Sequence, residues 1–386
     1  MQRAHLRHEV PVVAASELLA SPDAVVVDLR APGEFAEDHV PGAVNVPLFD
    51  DVGRALIGTL YARASPEAAF ARARELVGGH LGALVAGVCD AADERVPTDA
   101  LDALFAEMTA GGLADLEAAL PLAQSGLPER PVVLHCWRGG MRSRSVVALM
   151  RALGLSRAVG LEGGYKGYRR EVLRELDLWR APPTYVLRGL TGVGKTLVLR
   201  ELEALRPRWT IDLEGIAGHR SSILGRVGLA PVTQKTFESG LAARLRAGFP
   251  GPVVFEGESR KVGDAIIPES MWAAMSAGTS IELVASTASR VRVLMDDYLA
   301  DERRRAELRE ALPFLEERLG PKTWAGRLTG LLDARRDAEL AELLLEHYYD
   351  PLYRHSEARH DYAVTIASDD PARAAREVAA WIEARA

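Results

Sequence analysis

The chain has 386 residues, 48% hydrophobic and 26% charged, with a mean hydropathy near zero and a net charge of −7. These values exclude a disordered chain, and the length favours two domains over one core. No apolar run reaches the ~20 residues of a membrane span, and MQRAHLRHEV carries charge where a secretory signal needs an apolar stretch, so a cytoplasmic protein without membrane attachment is expected. Two cysteines, Cys89 and Cys136, exclude a disulfide scaffold and a cysteine-rich zinc site. Charge is uneven along the chain: net −11 over residues 1–134, +9 over 135–208 and −5 over 209–386. A basic middle in an acidic protein points either to a nucleic-acid contact or to a cluster of solvated arginines.

AVVVDLR, residues 24–30, reads as a strand buried on both faces, followed by a short polar helix, the turn His39-Val40-Pro41-Gly42 and the apolar piece AVNVPL. Residues 48–130 read as mostly helical, with Gly-Gly breaks at 78–79 and 111–112, a long insertion for a small domain. PVVLHC, 131–136, is the next strand; the loop WRGGMRSRS, the helix-period VVALMRALGL and AVGLEGGYKGYRREVL follow it. Strand, loop, helix, strand is the order of a parallel α/β sheet.

Ala181-Pro182-Pro183 reads as a linker. Beyond it TYVLRGL, TIDL, PVVFEG, SIELVAS and DYAVTIAS alternate with helical stretches, again a parallel sheet, while 290–350 read as a helical subdomain or lid. The expected organisation is a parallel-sheet domain over 12–175, with the insertion at about 48–130, and a second α/β domain over 184–386.

Two loops carry chemistry. Cys136 closes a strand and opens Cys136-Trp137-Arg138-Gly139-Gly140-Met141-Arg142-Ser143, which enters a helix. At such a turn the helix dipole, free amides and the two arginines favour a thiolate and cradle a tetrahedral oxyanion, with Gly139 and Gly140 allowing the backbone to turn. Cys89, in GVCDAADE, reads as an incidental thiol. Gly189-Leu190-Thr191-Gly192-Val193-Gly194-Lys195-Thr196 is G-x-x-x-x-G-K-[ST] between a strand and a helix. Its amides would cradle phosphates, Lys195 would neutralise the outer one, and Thr196 would ligate Mg²⁺ with Glu256, which ends the strand PVVFEG.

Asp28-Leu29-Arg30, Glu34-Phe35, His39-Val40-Pro41-Gly42-Ala43, Asn45-Val46-Pro47 and His135-Cys136 resemble the leading motif and active site of rhodanese domains. Five residues separate Cys136 from Arg142, a longer loop than that of small rhodaneses and similar to that of rhodanese-related phosphatases and arsenate reductases. The phosphate loop identifies the second domain as P-loop NTPase-like. Joined in this order, with GGYKGYRR at 163–170, DLEGIAGHRSSILG at 212–225, QKTFESGL at 234–241, FEGESRKVG at 255–263 and EHYYDPLYRHS at 346–356, the two resemble the bacterial tRNA 2-selenouridine synthases over nearly the whole length. One departure is Gly257, where that family has a further acid, which bears on the roles of Glu256 and Glu258.

The resemblance implies replacement of sulfur by selenium in the wobble 2-thiouridine of certain tRNAs, through an S-geranylated intermediate, with selenophosphate and geranyl diphosphate as substrates and an enzyme that supplies selenophosphate as a further partner. It makes Cys136 the residue that handles selenium, with Arg138, Gly139, Gly140 and Arg142 holding the selenophosphate. Gly189, Thr191, Gly192, Gly194, Lys195 and Thr196 would then hold the diphosphate. Arg144, Lys166, Arg169 and Arg170 of the basic middle would contact the tRNA backbone. Trp137, Tyr165 and Tyr168 read first as core packing or loop anchoring, with stacking of an unstacked base on such a ring as the alternative. His347, Tyr348 and Tyr349 read as a packed helix face. Two other functions fit the same residues: a phosphatase or arsenate reductase with a regulatory nucleotide-binding domain, and a non-enzymatic regulator.

Overall fold

The computed structural model describes residues 9–352 and 360–385. The part of EHYYDPLYRHS that begins at Tyr353 lies outside the described residues. The chain divides into two units, residues 1–174 and 175–386.

The first unit is built on β1 (Val10–Val13), β2 (Val25–Asp28), β3 (Val44–Asn45), β4 (Leu122–Gln124), β5 (Val132–His135) and β6 (Ala158–Leu161). They form one parallel sheet in the order β3-β2-β5-β6-β1-β4. Strands covered on both faces read as unbroken apolar runs, and β5 and β6 are buried at every position. The register sets Asp28 opposite His135, so the ends of β2 and β5 meet although the whole insertion separates them in sequence.

Between β3 and β4 stand the helices Asp51–Arg63, Pro66–Gly78, Leu81–Ala92, Leu101–Thr109 and Gly112–Ala119. Local chemistry starts the first two. The Asp50 carboxylate accepts from the Gly53 amide, and the Ser65 hydroxyl accepts from the Ala68 amide ahead of Pro66. Their apolar stripes pack with Phe49, Leu84, Val85 and Val88 against Val146 and Leu149 of the helix Met141–Ala152. The strand at Leu122–Gln124 falls in a stretch read as helical; three residues pairing at the sheet edge beside β1 leave too little periodicity to see in sequence. No single helix among the described residues is long and apolar enough to cross a membrane. The bent pair Pro66–Gly78 and Leu81–Ala92 passes such a test by length and composition, but Leu81, Leu84, Val85 and Val88 lie in the core.

The second unit carries β7 (Thr184–Arg188), β8 (Thr210–Ile211), β9 (Val253–Glu256), β10 (Lys261–Val262), β11 (Ala265–Ile266), β12 (Thr279–Val284) and β13 (Tyr362–Ala367). Five of these form a parallel sheet in the order β13-β12-β7-β9-β8, and β10 with β11 makes a small antiparallel hairpin. The helices between residues 287 and 349 enclose an apolar core of their own, including Leu308, Leu312, Trp324, Leu328 and Tyr348. In both units the chemistry-bearing loop leaves the carboxyl end of a central strand, where open parallel sheets place ligands.

Candidate functional site

Cys136 follows β5 directly, is 2% exposed, and its Sγ lies 3.3 Å from the Ser143 Oγ. Ser143 stands in the first turn of the helix Met141–Ala152 and its hydroxyl reaches the Gly140 carbonyl at 3.2 Å. The sulfur therefore faces a hydroxyl and the positive end of a helix. The main-chain amides of Arg138, Gly139 and Gly140 make no hydrogen bond among the described residues, and neither Arg138 nor Arg142 has a side-chain partner there. This is an anion cradle with its donors uncommitted.

The loop is held from the side by the helix Gly164–Leu178. The amides of Tyr165 and Lys166 donate to the carbonyls of Cys136 (2.9 Å) and Trp137 (3.0 Å). Behind them, Arg30 is buried and donates to both carboxylate oxygens of Asp28 and to the Asp38 carbonyl, while its guanidinium lies 3.8 Å from the Tyr165 ring centroid. Tyr165 closes the circuit by donating to Asp38 Oδ2 at 2.8 Å; burial and that partner hold its phenol protonated far above the usual range. His135 is fully buried, and loss of solvent pushes its imidazole pKa down against the pull of Asp28, leaving it neutral. The Asp28-Leu29-Arg30 motif thus braces the helix that holds the loop.

This network decides between the two readings of two rings in favour of packing. Tyr165 and Tyr168 are 2% and 0% exposed, committed to the packing that fixes the helix. Trp137 is half-buried and stacks on Tyr165 with centroids 5.3 Å apart. Of the basic residues, Lys166 and Arg170 are exposed, while Arg144 and Arg169 are half-buried. Cys89 sits in the insertion core, where burial raises its thiol pKa, and it does not line the cavity of about 510 Å³ that opens beside Cys136.

In the second unit the phosphate loop runs from the end of β7 into the helix Lys195–Leu205, with positive φ at Gly189, Gly192 and Gly194. A side chain at Gly189 would stand 2.4 Å from the Leu283 carbonyl, so only glycine lets the loop lie against β12. The amides of Thr191, Gly192 and Gly194 make no hydrogen bond among the described residues. Lys195 Nζ reaches back to the Gly189 carbonyl at 3.0 Å, and Arg290, paired with Asp350, donates to the Thr191 carbonyl at 2.8 Å. Asp350 gives the EHYYDPLYRHS motif a role: it holds the arginine that braces the loop. Tyr348 and Tyr349 are buried, with Tyr349 at 2.8 Å from the Tyr298 hydroxyl, a packed face.

Thr196 Oγ1 donates to Glu256 Oε2 at 2.8 Å and lies 3.3 Å from Glu214 Oε2. Burial, then Asp212 and Glu258, push the Glu256 pKa up to about 8. Glu214 is raised as well, by burial and then by Glu256. Nothing in the sequence singles out Glu214; the DLEGIAGHRSSILG stretch contains it, but only the fold carries it to Thr196. Gly257 also gains a reason, since a side chain there would meet Arg188 Cγ at 2.8 Å. Among the described residues no group of three or more His, Cys, Asp or Glu could hold a metal ion by itself. A hydroxyl flanked by two buried carboxylates, both held above their ordinary pKa, fits a cation taking its other ligands from phosphates and water, the habit of Mg²⁺.

Residues 182–386 match the family model described as tRNA 2-selenouridine synthase AAA domain, and residues 12–74 match the Rhodanese-like domain model. The second match ends inside the helical insertion, ahead of Cys136. The chain is similar to the tRNA 2-selenouridine synthase of Chromohalobacter salexigens, with 32% identity over 94% of this chain and 95% of the relative. It is also similar to those of Cupriavidus necator (32%, covering 93% and 94%) and Pseudomonas entomophila (30%, covering 94% of each). A crystal structure described as the N-terminal domain of a putative ATP/GTP binding protein from Clostridium difficile 630 matches 43% of this chain at 26% identity with a TM-score of 0.31, too low to support a comparison of folds.

Proposed function

The chain belongs to the tRNA 2-selenouridine synthases, and from that premise we propose that it works in two steps, one at each loop. In the first, the sulfur of wobble 2-thiouridine attacks C1 of geranyl diphosphate; the C1–O bond breaks, diphosphate leaves and the N3 proton is released. The phosphate loop is the natural seat for that diphosphate, with Lys195 meeting the outer phosphate and the amides of Thr191, Gly192 and Gly194 the bridging oxygens. Thr196 and Glu256, with Glu214 beside them, would hold Mg²⁺, which when bound supplies charge neutralisation to the diphosphate.

In the second step selenophosphate sits at the Cys136 loop, its oxygens on Arg138, Arg142 and the amides of Gly139 and Gly140. The Cys136 thiolate attacks phosphorus and the P–Se bond breaks, giving a phosphocysteine and hydrogen selenide anion. Selenium adds to C2 of the S-geranylated base and the C2–S bond breaks. The proton on selenium ends on N3, and the departing geranylthiolate takes one from solvent. Alkylation is what makes that sulfur able to leave. Water then returns the phosphocysteine to the thiol and phosphate, with Ser143 donating to the departing sulfur. No step oxidises or reduces selenium.

Arg144, Lys166, Arg169 and Arg170, on the two helices that flank the Cys136 loop, would hold the tRNA backbone. The observation that carries the reading is the contact between Cys136 Sγ and Ser143 Oγ inside a loop of uncommitted anion donors. Acid-quenched mass spectrometry of the full chain after exposure to selenophosphate tests it. A phosphoryl group on the Cys136 peptide, absent in Cys136→Ser, is expected; selenium on that cysteine without phosphate would overturn the step.

A further inference from the structure

Between the helical insertion and the Cys136 loop lies a cavity of about 510 Å³; one end is the anion cradle, and neither step above uses the apolar remainder. Its size falls within the range of small-molecule sites, about 300–1,000 Å³. Phe49, Ile57, Phe70, Leu84, Phe105 and Met108 of the insertion line it, and Cys136, Trp137 and Met141 form the facing wall. Two hydroxyls in the lining are already spent within their own helices: Thr109 Oγ1 donates to the Phe105 carbonyl at 2.7 Å and Ser145 Oγ to the Met141 carbonyl at 2.7 Å. Arg74 and Arg138, which also border it, are solvent-exposed, and Arg54 lies 3.5 Å from Glu34. Tyr61 is exposed at the rim and Arg142 marks the end shared with the anion cradle; the rest of the lining is mainly hydrocarbon, which holds water poorly.

We propose that this cavity receives the ten-carbon prenyl chain of the S-geranylated wobble base, and keeps the geranylthiol as it leaves. The proposal rests on the function above and deepens it. A chain attached to the base sulfur must lie within a bond or two of the atom that selenium attacks, and the cavity is the apolar space that shares Cys136 with the anion cradle. The arrangement also explains a selection: a base still carrying bare sulfur leaves the cavity unfilled and gains nothing from it, so only the alkylated base is held against the selenium donor. Apolar burial is worth about fourfold in affinity per methylene, so even partial insertion of the chain predicts discrimination on the order of a hundredfold.

The test uses the full chain and three anticodon stem-loops, bearing 2-thiouridine, its S-methyl derivative and its S-geranyl derivative. The S-geranyl stem-loop is expected to bind on the order of a hundredfold more tightly than the S-methyl one, with quenching of Trp137 fluorescence. In Ala73→Phe, which narrows the cavity, the geranyl-to-methyl ratio of kcat/KM should fall at least about tenfold. In Phe105→Ala, which lengthens it, the preference should move toward a fifteen-carbon farnesyl chain. Equal binding of S-geranyl and S-methyl stem-loops overturns the cavity assignment, as does an unchanged ratio in both variants. Preferential binding of the S-geranyl stem-loop without its conversion to selenouridine would leave the cavity standing and overturn the second step instead.

Discussion

The main-chain amide of Tyr165 donates a 2.9 Å hydrogen bond to the carbonyl of Cys136. The reacting loop is therefore fixed by an element outside it, and the fixing depends on glycine. Gly164 has φ +57°, and a Cβ there would stand 2.3 Å from the Cys136 carbonyl oxygen and 2.4 Å from the Gly139 amide. Gly164→Ala must shift the loop, with about 1–3 kcal/mol of backbone strain in addition. We expect thiol alkylation of Cys136 to change rate and selenium exchange to fall by about a hundredfold or more. Gly140→Ala, which has open space, should melt within a few degrees of the parent. Equal exchange rates in Gly164→Ala and the parent would show that the contact does not position the loop.

The parts of this site that were legible in the sequence are those whose chemistry is local. A phosphate loop and a cysteine loop are each a run of adjacent residues between a strand and a helix, so their spacing alone gives the geometry. What escaped was assembled by the fold. Glu214 reaches Thr196 only because β9 pairs with β7 on one side and β8 on the other, and Asp350 reaches Arg290 across 60 residues. The cavity is formed by helices whose apolar residues look, in sequence, like ordinary core. Tyr165 and Tyr168 stayed open in the sequence for a related reason: aromatic residues interleaved with arginines describe a stacking surface and a braced helix alike, and only burial separates the two.

Binding of tRNA should depend on the helix that holds the loop. Lys166 and Arg170 are exposed and neither side chain has a partner among the described residues, whereas Arg174 is spent on Glu171. Replacing both Lys166 and Arg170 by Glu is expected to weaken tRNA binding about tenfold or more. The slope of log K against log salt should drop by roughly 0.7–0.9 for each phosphate no longer neutralised. An unaltered slope would place the tRNA elsewhere on the protein.

The acidic pair beside Thr196 makes stability depend on pH in a definite direction. Glu256 keeps its proton up to about pH 8, against an ordinary value of 4.5. The folded chain then binds more protons than the unfolded one between those values, so stability is greatest below the window and falls as pH rises through it. Glu256→Gln should flatten this part of the profile. Mg²⁺ must displace the Glu256 proton well below that pKa and meets a free carboxylate well above it. The rise in melting temperature that Mg²⁺ brings should therefore be larger about one pH unit above the pKa than one unit below it, and small in Glu256→Gln. Equal Mg²⁺ effects on the two sides in the parent would remove Glu256 as a ligand.

Assigning one step to each loop implies that the two fail separately. Lys195→Ala removes the charge that would meet the outer phosphate of geranyl diphosphate and leaves the Cys136 cradle, built wholly from residues of the first unit, as it was. It should lower geranylation of 2-thiouridine tRNA by about a thousandfold, since a half-buried charge facing a departing diphosphate acts where charge develops. The same variant, given tRNA already geranylated, should exchange the thiol for selenium at the parental rate. Cys136→Ser should do the reverse, geranylating normally and failing to release selenide, because a serine hydroxyl is a far weaker nucleophile toward phosphorus than a thiolate. Cys89→Ala should carry out both steps, at a cost of about 1 kcal/mol in stability for the small cavity it leaves in the insertion core. Each reaction is followed on purified tRNA by mass spectrometry of the wobble nucleoside. Geranylation at the parental rate by Lys195→Ala, or a requirement for ATP with geranyl diphosphate saturating, would make the phosphate loop a nucleotide site and move the prenyl diphosphate elsewhere.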